Sequence, residues 1–294
     1  MYLKYLTSCF LFFVFHLDSI LAHPSKSPLR PHVIYDSDQR KEIFNESPQN
    51  SMLFIKDRIL AVVHSAKLVS KPDGSVGFLD SHYGRALKLC SNELFYTQPT
   101  FARCTASIVG TNKVLTAGHC ISENGCAMTR FISQYIMRSS SETESGLTPP
   151  INTTQDHVFS CKKILFRDKT FYTDIALIEV DRDFNITPLI ISSNSNELKP
   201  NIDEITAIGF PGGLPMKSSG YGPIISTKNQ IITAEIDTYG GNSGSPVFTK
   251  NSTDIQGILV RGEDDYTFNN EKKCYESKIC SSVLKNCQGE EIIP

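Results

Sequence analysis

Three segments of the chain carry residue types that could together perform nucleophilic catalysis, through His119, Asp174 and Ser243. A serine hydroxyl is a poor nucleophile near neutral pH and needs a base to take its proton. Histidine suits that task because its pKa lies near the working pH. A carboxylate behind the histidine fixes its tautomer and stabilises the imidazolium that forms. The three residues therefore predict acyl transfer, with Ser243 as nucleophile, His119 as base and Asp174 orienting the base.

Glycines surround the candidate nucleophile in segment 240–246, whose sequence is GGNSGSP. They allow the backbone to turn so that the N–H groups of Gly241 and Ser243 point at the oxyanion that forms during acyl transfer. One such donor lowers the barrier by about 3–4 kcal/mol. Each candidate residue also has an ordinary structural explanation, as a surface histidine, a turn aspartate or a glycine-serine loop. The order and spacing of all three favour catalysis.

The candidate residues lie at the ends of predicted strands. Short β-branched or aliphatic runs, separated by turn residues, recur along the chain after residue 33. They cover residues 106–109, 114–116, 158–166, 175–180, 205–210 and 224–236. No repeat and no long amphipathic helix accompanies them. Many short strands over about 230 residues predict an all-β fold, built as barrels or as a sandwich.

The N-terminal residues are typical of a secretory leader. Lys4 supplies a positive charge, residues 9–15 form an apolar run too short to span a bilayer, and Ala22 is a small residue at a plausible cleavage point. We predict a signal peptide over residues 1–22, a buried N-terminal strand being the alternative. The proline-containing residues 23–32 then form a pro-segment. The mature protein is expected to be secreted, in an extracellular or periplasmic space.

Cysteine usage agrees with export. Without Cys9 in the leader, eight cysteines remain, and an even number in an exported chain predicts disulfides. Metal ligation is the alternative, but no CxxC pair or HExxH motif supports it, and no metal or organic cofactor is implied. The polar residues 263–294 carry three cysteines and are expected to form a tail ordered by disulfides rather than by a core.

The formal net charge is −2, which suggests neither a nucleic-acid partner nor attraction to an anionic membrane. No apolar segment after the leader is long enough to cross a bilayer. We therefore expect a monomer with no membrane association after processing, whose partner is a protein or peptide substrate.

The catalytic motifs resemble those of the chymotrypsin-like, or trypsin-like, serine peptidases. In that family a cysteine directly after the catalytic histidine pairs with a cysteine sixteen positions upstream, and Cys104 and Cys120 keep this spacing around His119. Segment 173–177 (TDIAL) resembles the family's aspartate segment, and segment 241–246 (GNSGSP) resembles its nucleophile segment. The resemblance implies a serine endopeptidase, with an oxyanion hole formed by the N–H groups at the nucleophile.

The form of the nucleophile segment is most similar to the bacterial glutamyl endopeptidase branch, which segments 33–43 and 209–212 also resemble. The similarity covers residues 33–262, which we take as the peptidase domain. It implies two antiparallel six-stranded β-barrels packed side by side. The histidine and aspartate then belong to the first barrel and the serine to the second, with the triad in the cleft between them.

The resemblance also implies a disulfide between Cys104 and Cys120. We expect Cys126 to pair with Cys161, because both flank strands of the first barrel. The remaining cysteines then form two bonds among themselves, in one of three pairings. They are Cys90, Cys274, Cys280 and Cys287.

Two residues depart from the family's patterns. In trypsin-like zymogens an aspartate before the nucleophile binds the new N-terminal ammonium, and here that residue is the neutral Asn242. In the glutamyl branch a histidine lies in the substrate pocket, and here Leu259 stands at its position. The first departure argues against the zymogen switch, and the second argues against a preference for glutamate.

In the family the residue six positions before the nucleophile lies at the base of the primary substrate pocket, and here it is Asp237. Trypsin-like members carry an aspartate there, whose carboxylate pairs with the Arg or Lys before the scissile bond. The resemblance thus implies cleavage after Arg or Lys, in a pocket lined by Asp237, Thr238 and Leu259. Two alternatives stay open: Asp237 points outward, or Arg261 neutralises it.

Two other functions compete with peptide hydrolysis. An esterase of the α/β-hydrolase class needs a Gly-x-Ser-x-Gly motif and the chain order Ser, acid, His. The order here is the reverse, and Ser245 occupies the last motif position, so this class is excluded. A catalytically inactive binding protein with the chymotrypsin fold is the second alternative. Such proteins commonly lose a member of the triad, and this chain retains all three.

Overall fold

The structure, a computed structural model, describes residues 33–45, 54–79, 81–139, 153–250, 252–281 and 287–294. The predicted signal peptide and pro-segment lie outside these residues. In chain order the strands are β1 (Ile34–Tyr35), β2 (Lys41–Glu42), β3 (Ile59–His64), β4 (Leu68–Ser70), β5 (Ser75–Phe78), β6 (Cys104–Gly110), β7 (Lys113–Thr116), β8 (Thr129–Ile132), β9 (Thr153–Thr154), β10 (Val158–Lys169), β11 (Asp174–Val180), β12 (Glu204–Gly209), β13 (Lys217–Ser218), β14 (Gly222–Lys228), β15 (Ile231–Ala234), β16 (Pro246–Thr249), β17 (Gly257–Arg261), β18 (Tyr266–Asn269), β19 (Cys274–Ser277), β20 (Ile279–Cys280) and β21 (Glu290–Ile293).

Helical structure in the described residues is short. An α-helix, α1, covers Tyr83–Ala86, residues 54–55 are also α-helical, and the other helical segments are single 3-10 turns. These cover Ile43–Asn45, Lys56–Arg58, Ser65–Lys67, Gly118–Cys120, Cys126–Met128, Gln155–His157, Ser195–Glu197 and Pro211–Gly213. None of the helices described is long and apolar enough to span a bilayer. The absence of a long amphipathic pattern from the sequence agrees with this all-β architecture.

The first barrel closes through the strand order β10-β11-β7-β6-β3-β8, and every neighbouring pair is antiparallel. Strand β11 shows how the sequence determines which side chains face the barrel core. Its residues alternate between buried and half-buried positions. Ala176, Ile178 and Val180 lie in the barrel core together with Phe131 and Ile108. The alternation leaves Asp174, at the start of the same strand, on the buried face.

The second barrel contains β12, β14, β15, β21, β17 and β16, and the pairing of β12 with β14 closes it. Strands β13 and β2 extend the sheet from β12, so the N-terminal segment joins this barrel. Its core includes Ile205, Ile224, Val247 and Ile292. The predicted fold of two antiparallel six-stranded barrels is confirmed.

The predicted boundary at residue 262 is wrong. Strand β21 lies in the second barrel between β15 and β17, with Ile292 opposite both Ile232 and Leu259. The polar composition of most of the tail concealed this short strand, which supplies one of the six strands that the barrel needs. The disulfide-ordered tail therefore ends in a core strand.

Four disulfides join the described residues. Cys104–Cys120 and Cys126–Cys161 are the pairs expected for the first barrel. The other two bonds are Cys90–Cys274 and Cys280–Cys287. The Cys90–Cys274 bond spans 184 residues and ties the segment before β6 to the hairpin of β18 and β19.

Residues of both barrels share one apolar cluster, which fixes the barrels relative to each other. It combines Ile59 and Tyr135 from the first half of the chain with Ile208, Phe210 and Phe248 from the second. The rings of Tyr135 and Phe210 stack with their centroids 5.6 Å apart. The cleft between the barrels is therefore lined by elements that a packed core holds in place.

Candidate active site

His119 lies in the 3-10 turn that follows β7. The Cys104–Cys120 disulfide joins this turn to the start of β6, with the two Cα atoms 6.0 Å apart. Strand β7 pairs with β11, in which Ala176 lies opposite Thr116. This pairing brings the end of β7 next to the start of β11, where Asp174 lies.

Two hydrogen bonds join the candidate base to the candidate carboxylate. The backbone N–H of His119 donates to Oδ1 of Asp174 at 2.8 Å, and its ring atom Nδ1 lies 2.8 Å from Oδ2. The Asp174 side chain is completely buried, and that of His119 is 12 % exposed. A carboxylate in this position favours the tautomer with a proton on Nδ1, which leaves Nε2 available as the base.

Ser243 belongs to a tight turn that packs against the same end of the first barrel. The backbone N–H of Thr105 donates to the carbonyl oxygen of Ser243 at 2.9 Å. Gly244 has a φ of +85°, and a Cβ there would lie 2.3 Å from Oγ1 of Thr116 and 2.8 Å from the backbone nitrogen of Ala117. Only glycine permits this approach, which brings the nucleophile segment to the strand end just before His119.

The turn before Ser243 is also held by the first barrel. Thr105 Oγ1 donates to the carbonyl oxygen of Gly241 at 3.0 Å. Within the turn, the N–H of Asn242 donates to the carbonyl of Tyr239 at 2.9 Å, and the N–H of Ser245 donates to the carbonyl of Asn242 at 2.8 Å. These bonds fix the backbone of the predicted oxyanion hole, as electrostatic preorganisation requires.

Asn242 makes a neutral contact inside the same turn. Its Oδ1 accepts a hydrogen bond from Ser245 Oγ at 3.3 Å, and the side chain is buried. The amide carries no charge that could pair with an ammonium group.

The structure shows which groups bind Asp237, the residue predicted for the pocket floor. Its carboxylate faces the N-terminal segment, where Oδ1 accepts from the N–H of Tyr35 at 2.7 Å and Oδ2 accepts from the N–H of Gln39 at 2.5 Å. The residue is only 2 % exposed, so it does not point outward. Arg261 does not neutralise it, because that guanidinium binds Glu291 and the carbonyl of Phe171.

Burial raises the pKa of Asp237 to about 7, although the N–H groups of Tyr35 and Gln39 oppose this change. Desolvation disfavours the charged form, whereas bonds from backbone N–H groups favour it. Here desolvation is the larger effect. Asp237 thus holds the N-terminal segment against the loop that leads to the nucleophile.

The two other predicted pocket residues differ from each other. Leu259 is completely buried in the core of the second barrel, so its side chain is not a pocket wall. Its backbone exchanges hydrogen bonds with the nucleophile turn, to Ser245 and from Gly244. Thr238 donates from Oγ1 to Oε2 of Glu290 at 2.7 Å. Glu290 was not among the predicted site residues, because it lies in the polar tail.

The described residues hold one geometric cluster of metal-ligand types, formed by Cys104, His119 and Cys120. Both sulfur atoms of this cluster belong to the Cys104–Cys120 disulfide. A disulfide does not supply the thiolates that bind metals. The cluster is therefore a consequence of how the disulfide supports the histidine turn.

A family model described as a trypsin-like peptidase domain matches residues 104–258, more than half of the 294-residue chain. This match includes all three candidate catalytic residues. No curated protein matches the chain.

Solved protease structures are similar to this chain at low sequence identity. The VesB protease of Vibrio cholerae is 15 % identical with a TM-score of 0.45, and the match covers 86 % of this chain and 64 % of VesB. A serine endoprotease of Yersinia pestis is 16 % identical with a TM-score of 0.44, and the match covers 73 % of this chain and 58 % of the endoprotease. A Glu endopeptidase in complex with MPD is 16 % identical with a TM-score of 0.48, and the match covers 86 % of this chain and 95 % of the endopeptidase. The chain spans less than two thirds of the first two structures.

Proposed function

The chain belongs to the trypsin-like peptidase family, and on that premise we propose that it is a serine endopeptidase with His119, Asp174 and Ser243 as its catalytic triad. One observation carries the proposal. The buried Asp174 makes two hydrogen bonds to His119, and the turn that bears Ser243 packs against the strand end leading to that histidine. This arrangement suits the acyl-transfer chemistry of a serine–histidine–aspartate triad.

In the acylation step, Ser243 Oγ attacks the carbonyl carbon of the scissile bond while Nε2 of His119 takes the hydroxyl proton. The carbonyl oxygen becomes an oxyanion and receives hydrogen bonds from the N–H groups of Gly241 and Ser243. The intermediate collapses as the C–N bond breaks, and His119 gives its proton to the departing amine. An ester between Ser243 and the acyl half of the substrate remains.

Deacylation repeats the same steps with water as the nucleophile. His119 takes a proton from the water, whose oxygen attacks the ester carbon. Ser243 Oγ then leaves with the proton from His119, which restores the enzyme and releases a carboxylic acid. Asp174 stays ionised throughout and stabilises the imidazolium in both steps.

The substrate is a protein or peptide, which the mature enzyme binds as a monomer and cleaves after Arg or Lys. The half-buried Asp265 supports this preference, because its carboxylate contacts the loop before the nucleophile, where Gly240 N–H donates to it at 3.0 Å. Negative charge at a binding cleft favours cationic substrates.

The enzyme acts outside the cytoplasm, after removal of the leader. Four disulfides in the described residues support this location, since such bonds persist in oxidising compartments. The predicted leader over residues 1–22 provides the route of export.

Profiling of the purified mature chain on a peptide library tests the proposed activity. We expect cleavage by the natural sequence and its loss in Ser243→Ala, with Ser192→Ala, a serine outside the triad, as a control that stays active. A folded natural chain that cleaves no peptide would contradict the proposal and would favour the inactive binding protein.

A further inference from the structure

The proposed oxyanion hole lies in the tight turn 239–242, directly before Ser243. The turn closes where the N–H of Asn242 donates to the carbonyl oxygen of Tyr239 at 2.9 Å. Gly241 within it has a φ of +103°, in the left-handed region that favours glycine. Because only two residues separate the ends of the turn, the direction of the Gly241 N–H depends on where Tyr239 is held.

The N-terminal segment runs alongside the loop that leads into this turn. The carboxylate of Asp237 accepts N–H groups from the segment, that of Tyr35 at 2.7 Å and that of Gln39 at 2.5 Å. Thr238 N–H donates to the carbonyl oxygen of Val33 at 3.2 Å. The segment is also anchored elsewhere, because its strands β1 and β2 pair with β20 and β13. It therefore forms a fixed support for the loop.

Arg40 extends this support to the first residue of the turn. Its side chain is 1 % exposed, and its guanidinium lies over the ring of Tyr239, with Cζ 3.9 Å from the ring centroid. Two hydrogen bonds to Asp38 fix the plane of the guanidinium, from Nε at 2.9 Å and from Nη2 at 2.6 Å. A cation over an aromatic face is attracted more strongly when both are shielded from water, and Tyr239 is completely buried. Arg40 therefore holds the ring that begins the turn.

Other hydrogen bonds hold the middle of the turn. Gly212 N–H donates to the carbonyl oxygen of Gly240 at 2.6 Å, and Thr105 Oγ1 donates to that of Gly241 at 3.0 Å. These bonds do not involve the guanidinium, so they remain when Arg40 is replaced. Loss of Arg40 should therefore loosen the oxyanion hole without abolishing it.

On these contacts, and resting on the serine endopeptidase function proposed above, we propose that Arg40 is a positioning residue for the oxyanion hole. Its guanidinium holds the ring of Tyr239, and the closed turn transmits this position to the N–H of Gly241. Without the guanidinium, the hydrogen bonds to the oxyanion weaken, and the oxyanion forms only during the reaction. Binding of the unreacted substrate does not use these bonds, so kcat should fall while KM stays constant.

Arg40→Met removes the guanidinium and keeps an unbranched side chain. We expect kcat to fall about 10-fold with KM unchanged within about twofold, a smaller loss than the roughly 10²–10³-fold for removing an oxyanion-hole donor. Arg58→Met is the matched control, because Arg58 is also buried and its guanidinium lies over the ring of Phe54 at 3.8 Å. The Arg58 guanidinium donates to the carbonyl oxygens of Phe54 and Thr187, away from the nucleophile segment. Its substitution should leave kcat unchanged.

A peptide aldehyde tests the oxyanion hole itself. Ser243 Oγ adds to the aldehyde carbon while His119 takes the hydroxyl proton, and the carbonyl π electrons move onto the oxygen that enters the hole. In Arg40→Met the inhibition constant of the aldehyde should rise by the same factor as kcat falls. The corresponding peptide alcohol has no carbonyl to attack, so its affinity should stay constant.

Two substitutions of Tyr239 show whether Arg40 acts through the ring, and they decide the question even if Arg40→Met folds poorly. Phenylalanine keeps an aromatic face for the guanidinium, so Tyr239→Phe should keep kcat within about threefold. Tyr239→Leu removes that face and should lower kcat about 10-fold. The double variant Arg40→Met/Tyr239→Leu should lower kcat no further, because both substitutions break the same contact.

The inference is wrong if Arg40→Met lowers kcat no more than Arg58→Met, if KM rises in place of a fall in kcat, or if the losses in Arg40→Met and Tyr239→Leu add. Hydrogen exchange gives a readout that does not depend on hydrolysis. The amide protons of residues 239–243 should exchange faster in Arg40→Met than in the natural chain, and equal exchange would also overturn the inference. A natural chain that shows this difference and cleaves no peptide would contradict the proposed activity while supporting the role of Arg40.

Discussion

The two sides of the proposed active-site cleft are assembled in different ways. On the first-barrel side, His119 and Asp174 lie 55 residues apart and are brought together by neighbouring strands of one barrel. On the second-barrel side, Asp237 binds the N–H of Tyr35, which lies 202 residues away, and Thr238 binds Glu290 in the last strand. The proposed catalytic pair is thus positioned within one barrel, whereas the loop before Ser243 is held by residues from both ends of the described chain.

This difference predicts that substitutions on the two sides have different effects. The carboxylate of Asp174 is completely buried, and its contact to the His119 ring uses the nitrogen that does not act as base. The carboxylate of Asp237 joins the loop before Ser243 to the N-terminal segment, and the carboxylate of Glu290 accepts a hydrogen bond from Thr238 in the same loop. Substitutions on the first-barrel side should therefore reduce turnover of every substrate. Substitutions on the other side should change stability, the choice of substrate or, at Arg40 and Tyr239, the positioning of the oxyanion hole.

The largest effect is expected for Asp174→Asn. The asparagine amide would present an N–H to Nδ1 of His119 and so favour the tautomer that cannot act as base at Nε2. We expect kcat to fall about 10⁴-fold for cationic and neutral peptides alike. Glu179→Gln on the same strand is the matched control and should leave kcat unchanged, since Glu179 binds only Lys162 at the surface. A decrease of less than tenfold in Asp174→Asn would contradict the role of Asp174.

A smaller effect, on stability, is expected for Lys217→Met on the second-barrel side. Lys217 is completely buried, with its Nζ 3.1 Å from Glu42 and 2.9 Å from both the Gln98 side chain and the Pro215 carbonyl. This ion pair joins the N-terminal strand β2 to β13. Burial lowers the pKa of Lys217 to about 8, whereas Glu42 opposes that change. Removing the ammonium leaves Glu42 buried without its cation, which should cost roughly 3–5 kcal/mol of unfolding free energy.

Denaturant unfolding measures this loss, with Lys162→Met as the matched control. Lys162 forms an exposed ion pair with Glu179, so its substitution should leave the unfolding free energy unchanged within error. Adding Glu42→Leu to Lys217→Met should recover part of the lost stability, because the buried carboxylate of the pair is then removed as well. If Lys217→Met were no more destabilising than Lys162→Met, the N-terminal segment would not depend on this pair.

The sequence predicted the first-barrel side well and the second-barrel side poorly. The spacing of Cys104 and Cys120 and the segment around Asp174 are local patterns, and the structure brings them together through adjacent strands. The position of Asp237, six residues before Ser243, is also a local pattern of the sequence. Its partners, Tyr35 and Gln39, depend on how the N-terminal segment folds back. No spacing within the loop could reveal that contact.

The same reasoning explains the other corrections. Leu259 lies in a strand, and the alternation of side chains across a sheet decides whether it faces the core or the substrate. Ile292 and Ile293 form only a short apolar run after a long polar stretch, so their place in the second barrel was not visible. The bond between Thr238 and Glu290 depends on β21, so it was not visible in the sequence either.

Mapping the adduct of a fluorophosphonate probe by mass spectrometry tests the central claim most directly. Another histidine–serine contact provides an internal comparison, because His157 lies 2.8 Å from the hydroxyl of Ser133. We predict that the probe modifies Ser243, that His119→Ala abolishes this labelling and that His157→Ala leaves it intact. Labelling of Ser133 or of another serine in place of Ser243, or undiminished labelling in His119→Ala, would contradict the proposed triad.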